Sequence, residues 1–448
     1  MSDFLRNQKI VLYGWGVTTK SAAKAFAGRG CQLFGFVDAP DEDTFRSMRA
    51  CGVEPLHTRC EAVQMADLIL KSPGIPRETD FLLAARESAI PCWSDLEFAY
   101  RLYGGERMLV VTGSNGKTTT VSLLTHLLRT AGRSARALGN IGEGLLAGMA
   151  QAPDDTYFVI EASSFQLAHV FTFAPHGAAI LNITPDHLTW HQTMADYVRC
   201  KANVARFQKP TDVVFLNPND APSLRLYREG TFPGEVHFID TKGTWARRLR
   251  EGKDLWHLLG EHNIENALFA LALAQQTVIS DEDLCSGLAS FQPVAHRLEW
   301  IRTVDGVRYI NDSKATNVDA TVKALSGFHD SVLLIAGGMD KKVPFDDFYK
   351  ALRPVGKALL LFGETKQQIA DGAKKAGLTL PIFVVDTLRE AVQKAQQLAI
   401  AGDTVLLSPA SASWDMYHSY EERGDEFRTI VQSIAAQTAH DASTGGAG

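Results

Sequence analysis

Thr112-Gly113-Ser114-Asn115-Gly116-Lys117-Thr118-Thr119 is the stretch that decides the fold of this chain. It follows a short apolar run, residues 108–111, that predicts a buried strand, and it leads into residues 121–128, whose apolar positions have helical spacing. Glycines let backbone amides approach an anion, and a helix start adds partial positive charge. In such a loop the lysine reaches the terminal phosphates and the following threonine ligates Mg²⁺. The sequence therefore predicts a phosphate-binding loop.

This loop departs from the full G-x-x-x-x-G-K-[ST] pattern, because Val111 stands at the first glycine position. The alternative is a plain strand-to-helix turn that happens to contain a lysine. The strand and helix patterns on either side are the context that the motif requires, and they favour phosphate binding.

Composition excludes several classes of protein. The chain has 448 residues, which predicts two to four domains. Its net charge of −6 argues against a general nucleic-acid binder. The six cysteines form no C-x-x-C pair and suggest free thiols in a reducing compartment. The start lacks the apolar region of a signal peptide, and no apolar run reaches the length of a membrane span. We expect a cytoplasmic enzyme without membrane insertion.

Residues 1–106 read as a first α/β domain. A predicted strand leads into Gly14-Trp15-Gly16-Val17-Thr18-Thr19, and Asp38 ends the next strand about twenty residues later. This is nearly the dinucleotide fingerprint, but Thr19 replaces the third glycine. NAD, a nucleotide diphosphate, and a turn without any ligand all remain open. A later strand ends in the loop Ser72-Pro73-Gly74, at the sheet edge where open α/β sheets bind ligands.

Residues 107–293 read as a second domain with a mostly parallel sheet. One predicted strand ends in Glu161, and another is followed by Asp186 and His187. Since the carboxyl ends of parallel strands share an edge, both should lie near the phosphate loop, where Glu161 suits a metal ion. For His187, a metal ligand and a structural histidine are equally compatible with the pattern. A helix predicted over 194–207 carries Lys201, which its apolar neighbours turn partly inward.

Residues 294–437 alternate strands and helices and predict a third, doubly wound domain, and residues 438–448 predict a disordered tail. Three polar segments of this domain follow strands, at 311–317, 337–342 and 408–415. Together they predict a face for a nucleotide and an anionic substrate.

Seven motifs in this order resemble the Mur ligases: T-G-S-N-G-K-T-T, E-A-S-S-F-Q-L, L-N-I-T-P-D-H-L, H-N-I-E-N-A, A-H-R-L-E, N-D-S-K-A-T-N and L-L-S-P-A-S-A-S-W-D. The resemblance extends over residues 9–433. It implies an α/β fold of three consecutive domains: an N-terminal Rossmann-like domain that binds UDP, a central P-loop ATPase, and a C-terminal Rossmann-like domain that binds an amino acid.

The activity that the resemblance implies is ATP-dependent addition of D-glutamate to UDP-N-acetylmuramoyl-L-alanine, in peptidoglycan precursor synthesis. ATP and Mg²⁺ would be required, and the partners would be small molecules bound by a monomer, with no nucleic acid. Addition of L-glutamate or another amino acid to a UDP-muramoyl substrate is the first alternative. Addition of glutamate to folate is disfavoured by the nucleotide-binding turn of the first domain. An ATP-driven, NAD-binding regulator or a transporter-associated ATPase is the alternative outside the ligases.

The resemblance also assigns site residues. It implies an ATP site formed by Ser114, Asn115, Gly116, Lys117, Thr118, Thr119, Thr120, Asn263, Asn266, Arg297 and Asp312. It implies a UDP-substrate site formed by Val17, Thr18, Asp38, Ser72, Pro73, Gly74, Asn140 and His187. The glutamate would be bound by Lys314, Thr316, Lys341, Ser413 and Tyr420. The implied catalytic residues are Lys117, Glu161, His187 and Lys201, and the implied metal ligands are Thr118, Glu161, His187 and Lys201, the last as a carbamate.

Overall fold

The computed structural model describes residues 4–141, 144–251, 261–292, 295–328, 331–340 and 343–435. The predicted disordered tail and Lys341 lie outside the described residues. The α/β class with mostly parallel sheets is confirmed, since the described strands form three sheets in which all pairs but one are parallel.

The first sheet has five parallel strands in the order β3-β2-β1-β4-β5. Its strands are β1 (Lys9–Tyr13), β2 (Gln32–Phe36), β3 (Glu54–Pro55), β4 (Leu68–Lys71) and β5 (Cys92–Trp93). The helices of this region are α1 (Val17–Phe26), α2 (Glu42–Ala50), α3 (Arg59–Met65), α4 (Asp80–Glu87) and α5 (Asp95–Tyr103). The strand order reverses between β1 and β4, and such a switch point is where open α/β sheets bind ligands.

The second sheet has six parallel strands in the order β11-β10-β9-β6-β8-β7. Its strands are β6 (Met108–Thr112), β7 (Ala135–Gly139), β8 (Tyr157–Glu161), β9 (Gly177–Ile180), β10 (Val213–Leu216) and β11 (Glu235–Phe238). Its helices are α6 (Lys117–Thr130), α7 (Leu145–Ala150), α8 (Ser164–Leu167), α9 (Leu188–His191), α10 (Met194–Ala202), α11 (Ala221–Arg228), α12 (Thr244–Glu251), α13 (Glu261–Gln275) and α14 (Asp281–Ser290). The central strand β6 is buried along its whole length, as expected for a parallel strand covered on both faces.

The third sheet has six strands in the order β12-β13-β17-β14-β15-β16. Its strands are β12 (Glu299–Val304), β13 (Val307–Asn311), β14 (Val332–Ala336), β15 (Gly356–Leu361), β16 (Ile382–Val384) and β17 (Thr404–Leu407). Its helices are α15 (Val318–Leu325), α16 (Asp346–Leu352), α17 (Lys366–Lys375), α18 (Leu388–Leu398) and α19 (Tyr420–Gln432).

The structure contains one strand that the sequence analysis did not predict, and it shortens one predicted helix. In the third sheet, β12 pairs with β13 as an antiparallel edge strand. Asp305 and Gly306 connect these strands with positive φ angles of 50° and 78°, and an Asp-Gly pair is a strong hairpin signal. The helix predicted over 194–207 ends at Ala202, and turns follow it.

The chain divides into two compact units. The first comprises residues 1–255 and 262–291 and contains the first two sheets, and the second comprises residues 256–261 and 292–448. Among the described helices, none is long and apolar enough to cross a membrane.

Candidate active site

The phosphate loop connects the carboxyl end of β6 to the first turn of α6. Gly116 precedes the helix with a φ of 84°, a left-handed conformation that favours glycine. A Cβ atom there would lie 2.1 Å from Oδ1 of Asn266, so the loop packs tightly against α13. Asn266 also donates a hydrogen bond to Asn263 Oδ1 at 3.1 Å. Both asparagines therefore lie beside the phosphate loop. The resemblance assigns them to the same ATP site as this loop.

Thr118 and Glu161 meet beside this loop. The Thr118 hydroxyl donates to Oε2 of Glu161 at 2.8 Å, and the Asn140 amide donates to Oε1 at 3.0 Å. They meet because β6 pairs directly with β8, which places Glu161 opposite Val111. Thr118 and Glu161 are both buried. A hydroxyl and a carboxylate are hard oxygen donors of the kind that Mg²⁺ prefers, so this pair fits a magnesium ion.

Two lysines converge on the carbonyl oxygen of Gly113. Lys117 donates to it at 2.9 Å and to the Ser114 carbonyl at 3.0 Å. Lys201, which is 2% exposed, donates to it at 2.7 Å from α10. Burial and the positive charge of Lys117 hold the pKa of Lys201 well below its usual value. This shift makes the neutral, nucleophilic form of the Lys201 amine more accessible.

Other residues of the loop are anchored by the segment after β9 and by α10. The Ser114 hydroxyl donates to the Thr184 carbonyl at 2.9 Å and lies 2.9 Å from the Tyr197 hydroxyl. Asn115 donates its backbone amide to Oδ1 of Asn182 at 2.9 Å. Within the helix, the Thr120 hydroxyl donates to the carbonyl of Gly116, and Thr119 is half-buried. Sequence analysis did not single out Tyr197, because nothing in its spacing marks it as a loop contact.

His187 lies at the surface after the β9 strand end. It precedes α9 with a left-handed φ of 53°, and its Nε2 atom lies 3.4 Å from Oδ2 of Asp186. Non-glycine residues with positive φ are uncommon and mark constrained positions. The role of His187 as a metal ligand stays a prediction.

A charged network next to His187 escaped the sequence analysis. Asp196 accepts two hydrogen bonds from Arg77, at 2.9 and 2.8 Å, and lies 3.0 Å from Nδ1 of His191. The other ring nitrogen of His191 lies 2.9 Å from the Ser164 hydroxyl. Arg77 is 119 residues away from Asp196, so no local pattern could reveal the pair. These bonds fix the loop after β4 against α10, and His191 connects α10 to α8.

The predicted residues for the UDP substrate lie around the switch point of the first sheet. Val17 and Thr18 begin α1, and the Thr19 hydroxyl accepts a hydrogen bond from the Gly16 amide at 3.1 Å. Thr19 thus caps the helix from the position of the third glycine. Asp38 is exposed, and its carboxylate accepts a hydrogen bond from Tyr13 at 2.6 Å. The loop Ser72-Pro73-Gly74 follows the neighbouring strand β4.

In the second unit, the polar segments that follow β13 and β17 meet. The buried Asp312 accepts hydrogen bonds from the Ser408 hydroxyl at 2.7 Å and from the Leu298 amide at 3.2 Å. Arg297 is close enough to act electrostatically on the Asp312 carboxyl. Burial is the largest influence on this group and raises its pKa to about 7.

The predicted glutamate ligands also lie in the second unit. The Lys314 ammonium is 5.9 Å from the ring centre of Tyr420, and Thr316 follows in the same turn with its amide bonded to the Lys314 carbonyl. Ser413 is buried in the segment after β17.

Arg423 connects these segments and was missed by the sequence analysis. It is fully buried and donates to the Ser313 hydroxyl at 3.0 Å, to the Ser313 carbonyl at 2.9 Å and to the Ser411 carbonyl at 3.2 Å. These three hydrogen bonds fix the guanidinium group of Arg423 inside the core. They crosslink two loops that are far apart in sequence.

Replacing Asp312 with asparagine should stabilise the folded chain above neutral pH. Between the usual aspartate pKa of 3.8 and the folded value of about 7, the folded chain retains a proton that the unfolded chain has released. Stability therefore falls as the pH rises through this window. The amide of the variant carries no charge and avoids that loss.

We expect thermal unfolding at about pH 8 to show a melting temperature at least about 3 °C above that of wild type. No advantage should remain at about pH 4, and a lower melting temperature than wild type at pH 8 would contradict the burial argument.

Comparisons with known proteins identify the family. The model of the Mur ligase middle domain matches residues 111–274, and that of the Mur ligase glutamate ligase domain matches residues 296–411. The chain is 35% identical over 453 residues to the UDP-N-acetylmuramoylalanine–D-glutamate ligase of Alkaliphilus oremlandii, covering 96% of this chain and 99% of that protein. The chain belongs to the Mur ligase family. The resemblance drawn from the motifs and the prediction of a ligase are both confirmed.

One further relative supports this family assignment, and one solved structure supports the fold. The chain is 38% identical over 456 residues to the UDP-N-acetylmuramoylalanine–D-glutamate ligase of Pelotomaculum thermopropionicum, covering 97% of this chain and 99% of that protein. Among solved structures, folylpolyglutamate synthase from Mycobacterium tuberculosis, complexed with ADP and AMPPCP, matches with a TM-score of 0.56. That match covers 74% of this chain and 94% of the synthase at 16% identity, so it supports the fold alone.

Proposed function

We propose that this Mur ligase joins D-glutamate to UDP-N-acetylmuramoyl-L-alanine and converts ATP to ADP and phosphate, in the synthesis of peptidoglycan precursors. The relatives from Alkaliphilus and Pelotomaculum carry the name of this activity and are matched over nearly their whole length. The observation that carries the proposal is the buried Thr118–Glu161 pair beside Lys117, because it combines groups for a metal ion and for phosphates at one helix start.

The chemistry explains these residue types. A carboxylate is a poor acyl donor, so its oxygen first attacks the γ-phosphorus of ATP and ADP leaves. The amine nitrogen of glutamate then attacks the carbonyl carbon of the acyl phosphate, phosphate leaves, and the nitrogen loses a proton. Substrate carboxylate and triphosphate repel each other: each pair of unit charges costs about 4 kcal/mol at ~4 Å and an effective dielectric of 20. Lys117 supplies a positive charge that offsets this repulsion.

We propose that Thr118 and Glu161 hold one Mg²⁺, and that His187 and a carbamate on Lys201 hold a second. When bound, Mg²⁺ neutralises charge on the phosphate oxygens. Asn140 orients Glu161 through its amide, which keeps one carboxylate oxygen directed towards Thr118.

The proposed substrate sites follow the assignments made from the motifs. Residues 107–293 would form the ATP-binding domain, in which the phosphate loop acts with Asn263 and Asn266. The resemblance also assigns Arg297 and Asp312 to ATP. Residues 1–106 would bind the UDP moiety. Residues 294–437 would bind glutamate through Lys314, Thr316, Lys341, Ser413 and Tyr420. A cytoplasmic location and a monomeric state stay predictions.

Phosphate release from ATP tests the function directly. We expect release only when UDP-N-acetylmuramoyl-L-alanine and D-glutamate are both present. L-glutamate and other amino acids in place of D-glutamate test the first alternative, and a folate acceptor tests the second. Release from ATP without an amino acid would contradict the proposal and would point to an ATPase of another kind.

Asp38→Ala should selectively weaken the binding of the UDP substrate. Asp38 is exposed just beyond β2, at the edge where open α/β sheets bind ligands, and it lies in a different sheet region from the phosphate loop. We expect the KM for UDP-N-acetylmuramoyl-L-alanine to rise about tenfold or more, consistent with the loss of one or two hydrogen bonds to a polar ligand. The KM for ATP should change less than about twofold. A selective loss of ATP affinity in steady-state kinetics would show that the two nucleotide sites are assigned in reverse.

A further inference from the structure

Lys71 is a buried cation at the switch point of the first sheet. It is the last residue of β4 and only 2% exposed. Its ammonium donates to the carbonyls of Ser72 at 3.1 Å and Pro73 at 3.3 Å. Among the residues that the structure describes, no carboxylate forms an ion pair with it. Burying an ammonium without a counter-charge is unfavourable, so the burial of Lys71 requires an explanation.

The turn that Lys71 holds directs a carbonyl group and an N–H group to opposite sides. A trans peptide is planar and directs its carbonyl and its N–H to opposite sides. Since the Pro73 carbonyl faces the Lys71 ammonium, the Gly74 N–H faces away from it. Gly74 is exposed, and a Cβ atom built there would have no atom within 4 Å. Over the described part of the chain, no backbone carbonyl accepts a hydrogen bond from the Gly74 amide. The turn thus presents a donor to open space, with a positive charge behind it.

Neighbouring residues confine this turn. The Trp190 ring centre lies 5.6 Å from the Lys71 ammonium, and the indole N–H donates to the Ile75 carbonyl at 3.3 Å. On the other side, a Cβ atom on Gly14 would lie 2.9 Å from the Ser72 hydroxyl oxygen. That hydroxyl is buried and has no hydrogen-bond partner among the described residues. The turn after β4 therefore packs against the glycine turn after β1, and an unsatisfied polar group lies at their contact.

We propose that Lys71 is a positioning residue for the anionic nucleotide part of the substrate. It holds the Ser72–Gly74 turn with the Gly74 amide directed outwards, and its charge adds to the attraction of a diphosphate at the switch point. This inference rests on the proposed function for the nature of the ligand. The low dielectric around a buried ammonium strengthens its interaction with a nearby anion relative to that of a solvated one.

Lys71→Met tests the role of the charge, because methionine is unbranched and of comparable length. We expect the Kd for UDP alone, measured by calorimetry, and the KM for the UDP substrate to rise at least tenfold. The value of kcat and the KM for ATP should stay within twofold of wild type. Lys71→Arg keeps the charge and should restore UDP binding to within about threefold. A matched control is Lys357→Met, which removes a half-buried lysine paired with Asp403 in the second unit and should leave the Kd for UDP unchanged.

Two outcomes would overturn the inference: a Lys71→Met variant that binds UDP like wild type, or one that loses kcat while both KM values stay constant. Should that variant fail to fold, Gly74→Ala decides. Its added methyl group meets no protein atom but crowds the face of the outward amide. We expect weaker UDP binding with an unchanged melting temperature, and UDP binding equal to wild type would reject the proposal.

The proposed function and this inference fail in different ways. A wild-type protein that binds UDP but releases no phosphate in response to D-glutamate contradicts the function, while the Lys71 comparison with UDP alone still decides the inference. A wild-type protein that does not bind UDP overturns the inference itself.

Discussion

Lys117→Ala should lower the rate of ligation about 10³-fold or more while the protein stays folded. The ammonium of Lys117 lies within the phosphate loop, 2.9 Å from the Gly113 carbonyl, at the first residue of α6. Under the proposed function this ammonium offsets the negative charge of the phosphoryl oxygens while the acyl phosphate forms. A 10³-fold loss corresponds to about 4 kcal/mol of transition-state stabilisation, a size that removal of one well-placed charged donor can produce.

Phosphate release under saturating substrates and thermal unfolding together check this expectation. A matched control is Lys366→Ala, because Lys366 is the first residue of α17 and contacts Asp386 and the Val385 carbonyl instead of a phosphate loop. The control should retain activity within about twofold. Near-normal turnover by Lys117→Ala with an unchanged melting temperature would reject the assignment of the phosphate loop.

Lys201→Ala is expected to lose most activity and to regain part of it with formate or acetate. Lys201 is buried beside the phosphate loop, and burial together with Lys117 makes its neutral amine more accessible. A neutral amine attacks the carbon of CO₂ and, after losing a proton, becomes a carbamate with two oxygens that suit a hard cation. Without this side chain the proposed second Mg²⁺ would lose its anionic ligand. A small carboxylate can diffuse into the space and replace the anion, but it cannot replace the hydrogen bond to Gly113.

Labelling separates a carbamate from a purely structural lysine. Wild type equilibrated with ¹³C-bicarbonate should show a carbamate carbon signal by NMR, and Lys201→Ala should not. Lys209→Ala is a suitable control, since Lys209 is exposed and follows the same helix. A wild-type enzyme that is fully active yet shows no label would refute the carbamate. Loss of activity without rescue by any small carboxylate would indicate that the hydrogen bond to the loop is what Lys201 contributes.

The pairing of Thr118 with Glu161 shows how much of the site can be predicted from the sequence. Thr118 was predicted from the phosphate-loop motif and Glu161 from a buried strand with a polar end, and parallel pairing of β6 with β8 brings them within 2.8 Å. This succeeds because hydrophobic strand patterns and parallel topology place all carboxyl ends at one edge. The antiparallel strand β12 escaped the same reasoning, since its alternation is short and the Asp305–Gly306 turn was not recognised as a hairpin.

The sequence by itself determined the fold class, the family and the strand–turn–helix arrangement around the predicted phosphate loop, because these depend on periodic burial and on contiguous motifs. Only the tertiary structure decided the surroundings of Lys71, Arg77 and Arg423 and the raised pKa of Asp312. These properties arise from contacts between segments far apart in the chain, such as the 119 residues between Arg77 and Asp196 and the 110 between Ser313 and Arg423. Burial and hydrogen bonding of an ionisable group depend on what packs around it in three dimensions, and local spacing carries no information about those neighbours.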